Sequence, residues 1–148
     1  MIEKIKSLIS KNNTFTQFIK FGIVGASNTI ISYVVYVIVL LALKDKHYSW
    51  DYLAGNVISF VISVAWSFYW NNKLVFTKKE GEVRVWWKAL LKTYASYAFS
   101  GLILSNILSW IWIDVLGISS YIAPLINLVV TIPINFLMNK FWAFRIDK

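Results

Sequence analysis

Uncharged polar side chains recur at helical spacing in two otherwise apolar stretches of the chain. One stretch contains Asn56, Ser59, Ser63, Ser67 and Asn71, and the other contains Asn127, Thr131, Asn135 and Asn139. Residues three or four apart share one face of a helix. Amides and hydroxyls form hydrogen bonds without carrying charge, and an unpaired amide is costly in an apolar medium. The pattern therefore predicts helix faces that contact protein, water or an uncharged polar ligand such as a sugar.

Two interpretations of these polar faces are open from the residues alone. In the first, they hold helices together, at an average of about 0.6 kcal/mol per contact in one measured membrane protein. In the second, they line a groove that shields a sugar headgroup while its lipid tail stays in the bilayer. The serines and glycines favour the first interpretation. Asn71, Asn135 and Asn139, which lie near lysines, favour the second, and Asn28 and Asn56 are further candidates for sugar contact.

Lysines near the ends of the apolar stretches of the chain are candidates for binding phosphate. Lys73 and Lys140 each follow an asparagine, and Lys88 and Lys92 are spaced by one helical turn. Basic pockets between helices bind anionic lipid headgroups on the cytoplasmic side of membranes. The same positions are also typical of lysines that only extend to headgroups and set the topology.

Residue types that catalysis requires are scarce. The chain has one histidine and no cysteine, and it shows no phosphate-binding glycine loop. No His, Asp and Glu pattern is suited to a metal, and no nucleophile has a base at a usable spacing. We therefore expect no enzyme activity, no metal and no cofactor. The absence of acidic residues inside the apolar stretches also disfavours a carboxylate-based proton antiporter.

Four long apolar runs must position these residues. The 148-residue chain is 58% hydrophobic and 15% charged, whereas an average globular chain has about 25% charged residues. Runs without charge cover residues 21–43, 52–70, 93–113 and 117–139. Each is long enough for a helix to cross about 30 Å of hydrocarbon. The sequence thus predicts an all-α membrane protein, a four-transmembrane-helix bundle forming a single domain over residues 1–148.

The basic residues predict the orientation of these spans. All lysines and arginines except Lys44 and Lys46 lie before the first run, between the second and third, or after the fourth. The positive-inside rule then places both termini and the central loop in the cytoplasm. The net charge of +8 is explained by this topology, so it gives no reason to expect a nucleic-acid partner.

The two halves of the chain resemble each other. The segment from Asn72 to Phe76 is similar to the segment from Asn139 to Phe144, and Ser27-Asn28 is similar to Ser105-Asn106. This pattern predicts two helical hairpins of the same sense, a parallel two-plus-two repeat. Transporters often contain such repeats and bind substrate where the repeats meet.

Three segments also resemble a known family of small membrane proteins. They are FIKFGIVGASN at residues 18–28, NNKLVF at 71–76 and NFLMNKFWAF at 135–144. Together with the four runs and the basic central loop, they resemble the GtrA/GtcA-like family over the chain from Phe18 onward. The resemblance implies one signature at Asn71, Lys73, Val75 and Phe76 and a second at Asn135, Asn139, Lys140 and Phe144, with Lys88 and Lys92 at an aromatic and basic entry to the third span.

Members of that family are bacterial inner-membrane proteins linked to glycosylation of O-antigen, teichoic acid and other envelope polymers. The resemblance implies translocation of a polyprenyl-phosphate-linked sugar across the cytoplasmic membrane. The implied partners are membrane lipids, that lipid-linked sugar and a membrane glycosyltransferase. Because four helices enclose little volume, we expect a homodimer or a complex with the transferase. Two alternatives stay open: a non-transporting adaptor of a glycosyltransferase, and return transport of the bare polyprenyl phosphate.

Overall fold

A computed structural model describes residues 2–3 and 13–147 of the chain. Lys4, Lys6, Lys11 and Lys148, which contribute to the predicted orientation, lie outside the described residues. Within these residues, four helical spans are long and apolar enough to cross a membrane. Their bounds are Thr14–Lys46, Asp51–Val75, Trp86–Val115 and Ala123–Ala143. The prediction of an all-α, four-span membrane protein is confirmed, and the chain is a multi-pass membrane protein.

The helices extend beyond several of the predicted limits. The first begins at Thr14, where the Asn13 side chain accepts a hydrogen bond of 2.8 Å from the Phe15 amide, and the third begins at Trp86 instead of residue 93. The predicted first and third runs begin directly after Lys20 and Lys92, but a helix continues through a lysine whose head can reach water. The fourth begins at Ala123 instead of residue 117. Gly117, at a φ of +69°, is left-handed and belongs to the turn that follows the third span.

Three of the spans contain π-helical turns. The second changes from α-helix to π-helix at Asn71–Val75, and the fourth does so at Asn139–Ala143. The third contains two such turns, Phe99–Leu104 and Ile111–Val115. π-Helical turns occur often at functional sites. The second and fourth spans both end in such a turn, and both turns contain residues predicted from the sequence as candidates for the site.

The chain divides into two compact units, Met1–Thr77 and Lys78–Lys148. Each unit contains two consecutive spans joined by a turn, which makes each a helical hairpin. We call them the first and the second hairpin.

Close helix packing in the first hairpin depends on a glycine. A Cβ atom added to Gly55 would lie 2.8 Å from Cδ2 of Tyr36, closer than two carbon atoms can approach. Farther from the turn that joins these spans, the Trp66 indole donates a hydrogen bond of 3.1 Å to the Ser27 hydroxyl. The small residue thus allows the Tyr36 ring to lie directly against the second span.

The second hairpin is closed at one end by its C-terminal residues. The Asp147 amide donates to the Val83 carbonyl at 2.9 Å, and the Asp147 carboxylate accepts from the Val85 amide at 2.8 Å. The buried Arg84 guanidinium lies 5.2 Å from the centre of the Phe144 ring. These contacts attach the segment after the fourth span to the residues that precede the third.

Candidate functional site

The second and fourth spans carry the same buried stripe. Residues of the second span match residues of the fourth at one constant offset along the chain, and nearly all of them are buried. The matched pairs are Gly55 with Ala123, Ser59 with Asn127, Ser63 with Thr131, Ser67 with Asn135, Asn71 with Asn139, Val75 with Ala143 and Phe76 with Phe144. Apart from Asn56, which is exposed, and Asn135, which is half-buried, the predicted polar faces are thus turned toward protein within each hairpin.

This register differs by one residue from the one predicted from sequence, which aligned Asn72 with Asn139. Asn71 and Asn139 are both completely buried, and each begins a π-helical turn. In both turns the amide five residues later donates to the asparagine carbonyl at 2.8 Å. The prediction followed the shared Asn-Lys pair, which is wrong because Lys73 and Lys140 occupy different positions in their turns.

The Asn127 side chain links the fourth span to the third through hydrogen bonds. Its side-chain oxygen accepts from the Trp112 indole at 3.0 Å, and its nitrogen donates to the Ser109 hydroxyl at 2.7 Å and to the Ser105 carbonyl at 3.2 Å. Asn135 makes one such contact, accepting from the Ser100 hydroxyl at 2.7 Å. These amides fit the interpretation in which polar residues hold helices together.

Three serines of the first hairpin donate hydrogen bonds within their own helices. Ser59 donates to the Asn56 carbonyl at 3.1 Å, and Ser63 donates to the Phe60 carbonyl at 3.3 Å. Ser27 donates to the Val24 carbonyl at 2.7 Å. These hydroxyls leave no unmet hydrogen bond, as expected for small residues at a helix contact.

Three asparagines differ from these residues because their side-chain oxygens are buried without a hydrogen bond. They are Oδ1 of Asn28, of Asn71 and of Asn139, for which no donor lies within reach among the described residues. The nitrogen of Asn71 donates to the Ser67 hydroxyl at 3.1 Å, and that of Asn139 donates to the Asn135 carbonyl at 2.8 Å. A buried acceptor without a donor costs about 1–3 kcal/mol. The Asn28 side chain is half-buried, whereas those of Asn71 and Asn139 are completely buried. A ligand hydroxyl therefore reaches Asn71 or Asn139 only after the surrounding helices move apart.

A cavity of about 320 Å³ opens in the first hairpin at Asn28. It brings together the predicted residues Asn28 and Asn56 with three hydroxyls and two phenols. Its lining is Asn28, Thr29, Ser32, Tyr33, Tyr36, Asn56 and Ser59. At about 1.5 Å per residue, Asn28 lies about 21 Å from Thr14, so the cavity lies between the middle of the first span and the turn to the second.

The cavity has the composition of a site for a neutral polar molecule. None of its lining side chains is charged at neutral pH, and the amides and hydroxyls supply both donors and acceptors. Tyr33 and Tyr36 add aromatic rings with polar tips. Neither tyrosine is among the site residues predicted from the sequence, although Asn28, Ser32 and Tyr36 are spaced by four and share one helix face.

The end of the first hairpin opposite this cavity holds the buried Asn71. Phe76 is buried there with its ring 6.2 Å from that of Phe21, and the Gln17 side-chain nitrogen donates to the Val75 carbonyl at 3.3 Å. Among the described residues, no donor reaches the buried side-chain oxygen of Gln17 or that of Asn71. Phe76 therefore shapes this end through packing, and the two amides supply free acceptors.

Lys73 lies at the same end but is exposed, as is Lys88 in the second hairpin. The Lys73 ammonium lies 5.5 Å from the centre of the Tyr69 ring and within 3.4 Å of its hydroxyl, and that of Lys88 lies 5.6 Å from Trp87. At about 1.5 Å per residue, Ser59 in the cavity is about 21 Å from Lys73. A single sugar phosphate cannot span that distance.

Lys140 and Lys92 of the second hairpin are each half-buried against aromatic rings. The Lys140 ammonium lies 5.8 Å from the centre of the Phe136 ring and 5.7 Å from that of Phe141. The Lys92 ammonium lies 5.7 Å from Trp142 and lines a pocket of about 270 Å³ with Arg145. Arg145 contributes to the charge distribution along the sequence but is not among the predicted site residues, so its place in the lining of this pocket is a finding of the structure.

Comparisons with known proteins match these features to a family. The model of the GtrA/DPMS transmembrane domain matches residues 20–144, which contain the stripes, the cavity and both π-helical ends. The chain belongs to the GtrA/DPMS transmembrane-domain family. The GtrA-like resemblance proposed from residues 18–28, 71–76 and 135–144 is thereby confirmed.

Curated relatives of this GtrA-family chain cover its full length. It is 24% identical over 153 aligned residues to the cell wall teichoic acid glycosylation protein GtcA of Listeria monocytogenes, with 99% of this chain and all of the relative aligned. The protein of the same name from Listeria innocua matches with the same identity and coverage. No solved structure matches this chain.

Proposed function

We propose that this GtrA-family chain moves a polyprenyl-phosphate-linked sugar across the bacterial cytoplasmic membrane, without performing covalent chemistry itself. The sugar then serves glycosylation of a cell-envelope polymer, of which teichoic acid is the example given by the relatives' names. The cavity of the first hairpin is the observation that carries the proposal. An adaptor that only anchors a transferase requires no such cavity within its membrane span.

The size and lining of the cavity support a sugar as the cargo. Its volume of about 320 Å³ is at the lower end of the range of about 300–1,000 Å³ for small-molecule sites. The Asn28 oxygen is buried without a donor, and sugar hydroxyls are donors. A charged phosphate, by contrast, finds no cation among the residues that line this cavity.

The distance between the cavity and Lys73 supports movement in two steps. In the predicted orientation, Asn71 and Lys73 lie at the cytoplasmic end of the first hairpin and the cavity lies toward the outer end. The headgroup first meets the exposed Lys73 ammonium, and the buried acceptors of Gln17 and Asn71 at the same end become available to it when the helix ends move apart. It then passes to the cavity while the polyprenyl tail stays in lipid. Two contact positions at different depths are what translocation requires.

The partners follow from the same proposal. The lipid-linked sugar must be made by a membrane glycosyltransferase on the cytoplasmic side and consumed on the outer side. Consumption outside allows the movement to run downhill, without an energy source in this chain. We expect the functional unit to be a homodimer or a complex with that transferase.

Vesicles containing the purified protein test the proposal directly. A polyprenyl-phosphate sugar labelled in its sugar ring is distributed over both leaflets, and periodate outside the vesicles oxidises only the outer pool. Active protein makes the whole pool accessible, whereas protein-free vesicles keep about half protected. Loss of one sugar hydrogen bond, at about 1 kcal/mol, slows movement about fivefold. We expect this of Asn28→Leu and Asn56→Leu, and also a loss in Asn71→Ala.

Asn106→Leu is the matched control. Asn106 is an exposed amide of the third span that donates to the Leu102 carbonyl of its own helix, so its removal should leave movement unchanged. If wild-type protein moves no lipid but retains a glycosyltransferase during purification, the adaptor hypothesis replaces the proposal. If it moves sugar-free polyprenyl phosphate but not the sugar-bearing lipid, return transport replaces it.

A further inference from the structure

The pocket of the second hairpin is lined by Lys92, Arg145, Ile146 and Asp147. It differs from the cavity of the first hairpin because two of its four lining side chains are cationic. Its volume is about 270 Å³. Lys92 comes from the start of the third span, and the other three residues follow the fourth. A pocket of this kind is suited to an anion.

The carboxylate in the pocket does not neutralise the two cations. Within residues 2–3 and 13–147, neither Lys92 nor Arg145 forms an ion pair with Asp147 or another acid. The Asp147 carboxylate instead accepts the Val85 amide at 2.8 Å. The Lys92 ammonium is held at 5.7 Å from the Trp142 ring, which leaves its hydrogens available to a ligand.

The position of Arg145 is built by the contacts of its neighbours. Before it in the chain, Phe144 is buried with its ring beneath the Arg84 guanidinium. After it, Asp147 is bonded to both Val83 and Val85. Burial lowers the pKa of Arg84, while Glu82 and Asp147 act in the opposite direction. Both sides of Arg145 are thereby fixed, and its guanidinium remains exposed at the pocket.

We propose that Lys92 and Arg145 bind the phosphate group of a membrane lipid. A guanidinium donates two parallel hydrogen bonds to phosphate oxygens, and an ammonium adds a point charge. The inference deepens the proposed function, on which it rests where the lipid is the polyprenyl-phosphate carrier. An anionic phospholipid headgroup has the same chemistry and is the second source.

A binding measurement tests this site without requiring transport. The protein is placed in nanodiscs of phosphatidylcholine and titrated with a short prenyl monophosphate, with heat and tryptophan emission as readouts. Removing one charge-assisted hydrogen bond should weaken binding about tenfold to a hundredfold. We expect this of Lys92→Gln and of Arg145→Gln, with partial recovery in Arg145→Lys. Lys78→Gln, which removes an exposed charge outside the pocket, should change affinity less than about twofold.

Asp147→Asn provides a change in the opposite direction. The asparagine oxygen can still accept from the Val85 amide, but the negative charge beside the phosphate is removed. Binding of the prenyl monophosphate should therefore tighten, by about twofold to fivefold. A reduced affinity in this variant, with wild-type affinity in Lys92→Gln and Arg145→Gln, would overturn the proposal.

Two further titrations distinguish the sources of phosphate. Phosphatidylglycerol added to the nanodiscs should compete with the prenyl monophosphate if the site accepts any lipid phosphate, and should leave the affinity unchanged if the site prefers the carrier. Inorganic phosphate alone should bind much more weakly, because it lacks the membrane anchor. Wild-type protein that binds the prenyl monophosphate but moves no lipid would overturn the proposed function and leave this site in place. Movement of lipid combined with binding that is insensitive to both residues would overturn the site alone.

Discussion

The three asparagines along the fourth span should differ in stability cost according to their hydrogen bonds to the third span. Asn127 makes three such bonds and Asn135 makes one. Asn139 makes none among the described residues, because its nitrogen bonds within its own helix and its oxygen is unpaired. Substitution by alanine deletes the same amide at each position. The differences among the three variants therefore report the bonding.

Hydrogen bonds between membrane helices contribute about 0.6 kcal/mol each on average. Relative to Asn139→Ala, we expect Asn135→Ala to lower the free energy of unfolding by about 0.6 kcal/mol and Asn127→Ala by about 2 kcal/mol. Equilibrium unfolding in mixed micelles of increasing SDS content, followed by circular dichroism, measures these values. Circular dichroism is preferred because Trp112 is itself a partner of Asn127, so its fluorescence would change for local reasons.

Packing makes this order a strict test. Asn139 is completely buried, whereas Asn127 is 6% exposed, so cavity formation alone would make Asn139→Ala the more costly variant. A larger loss at Asn139 than at Asn127 would show that the Asn139 amide holds the protein together, and it would refute the division into structural and functional asparagines. We also expect Asn139→Ala to impair lipid movement despite its small effect on stability.

Three further predictions concern other parts of the chain. In Gly55→Ala the new Cβ would lie 2.8 Å from the Tyr36 ring, so the ring should be displaced and sugar-lipid movement in the vesicle assay should slow. Gly101→Ala, whose new Cβ meets no atom within 4 Å, should leave the rate unchanged. Equal rates in the two variants would show that the position of Tyr36 does not matter for movement through the cavity. Because the chain has no cysteine, a single introduced cysteine can report which side of the membrane a loop faces. Glu80→Cys should react with an impermeant thiol reagent only from the cytoplasmic side, and Ser119→Cys only from outside. The reverse result would show that the predicted topology is inverted. Asn13→Ala removes the hydrogen bond to the Phe15 amide and should lower the unfolding free energy by about 1 kcal/mol in the SDS titration, with Asn13→Ser close to wild type.

The spans and polar stripes could be predicted from sequence because both arise from periodic patterns. Charge-free runs of about 20 residues identify membrane helices, and spacing by four places Ser59, Ser63 and Ser67 on one face. The ends of the helices were harder to predict. Lys92 lies inside the third helix, although the charge-free run begins only at residue 93, and left-handed Gly117 lies in a turn although it begins the fourth charge-free run.

The division among the asparagines could not be predicted, because it depends on which partners the neighbouring helix brings near. Asn127 and Asn139 have the same spacing and residue type, yet only Asn127 meets Trp112 and Ser109. Arg145 was missed for a related reason. Its place at a pocket depends on the contacts of Asp147 with Val83 and Val85, which join residues far apart in the sequence.

Ser59 and Asn127 stand at equivalent points of the two hairpins, and the difference in the length of their side chains has a consequence for the space beside each. At the fourth span the longer amide reaches across and fastens the neighbouring helix through Ser105, Ser109 and Trp112. At the second span the short hydroxyl turns back to its own backbone and lines an open space. The same position therefore closes the interior of the second hairpin through polar contacts and leaves an open cavity in the first hairpin.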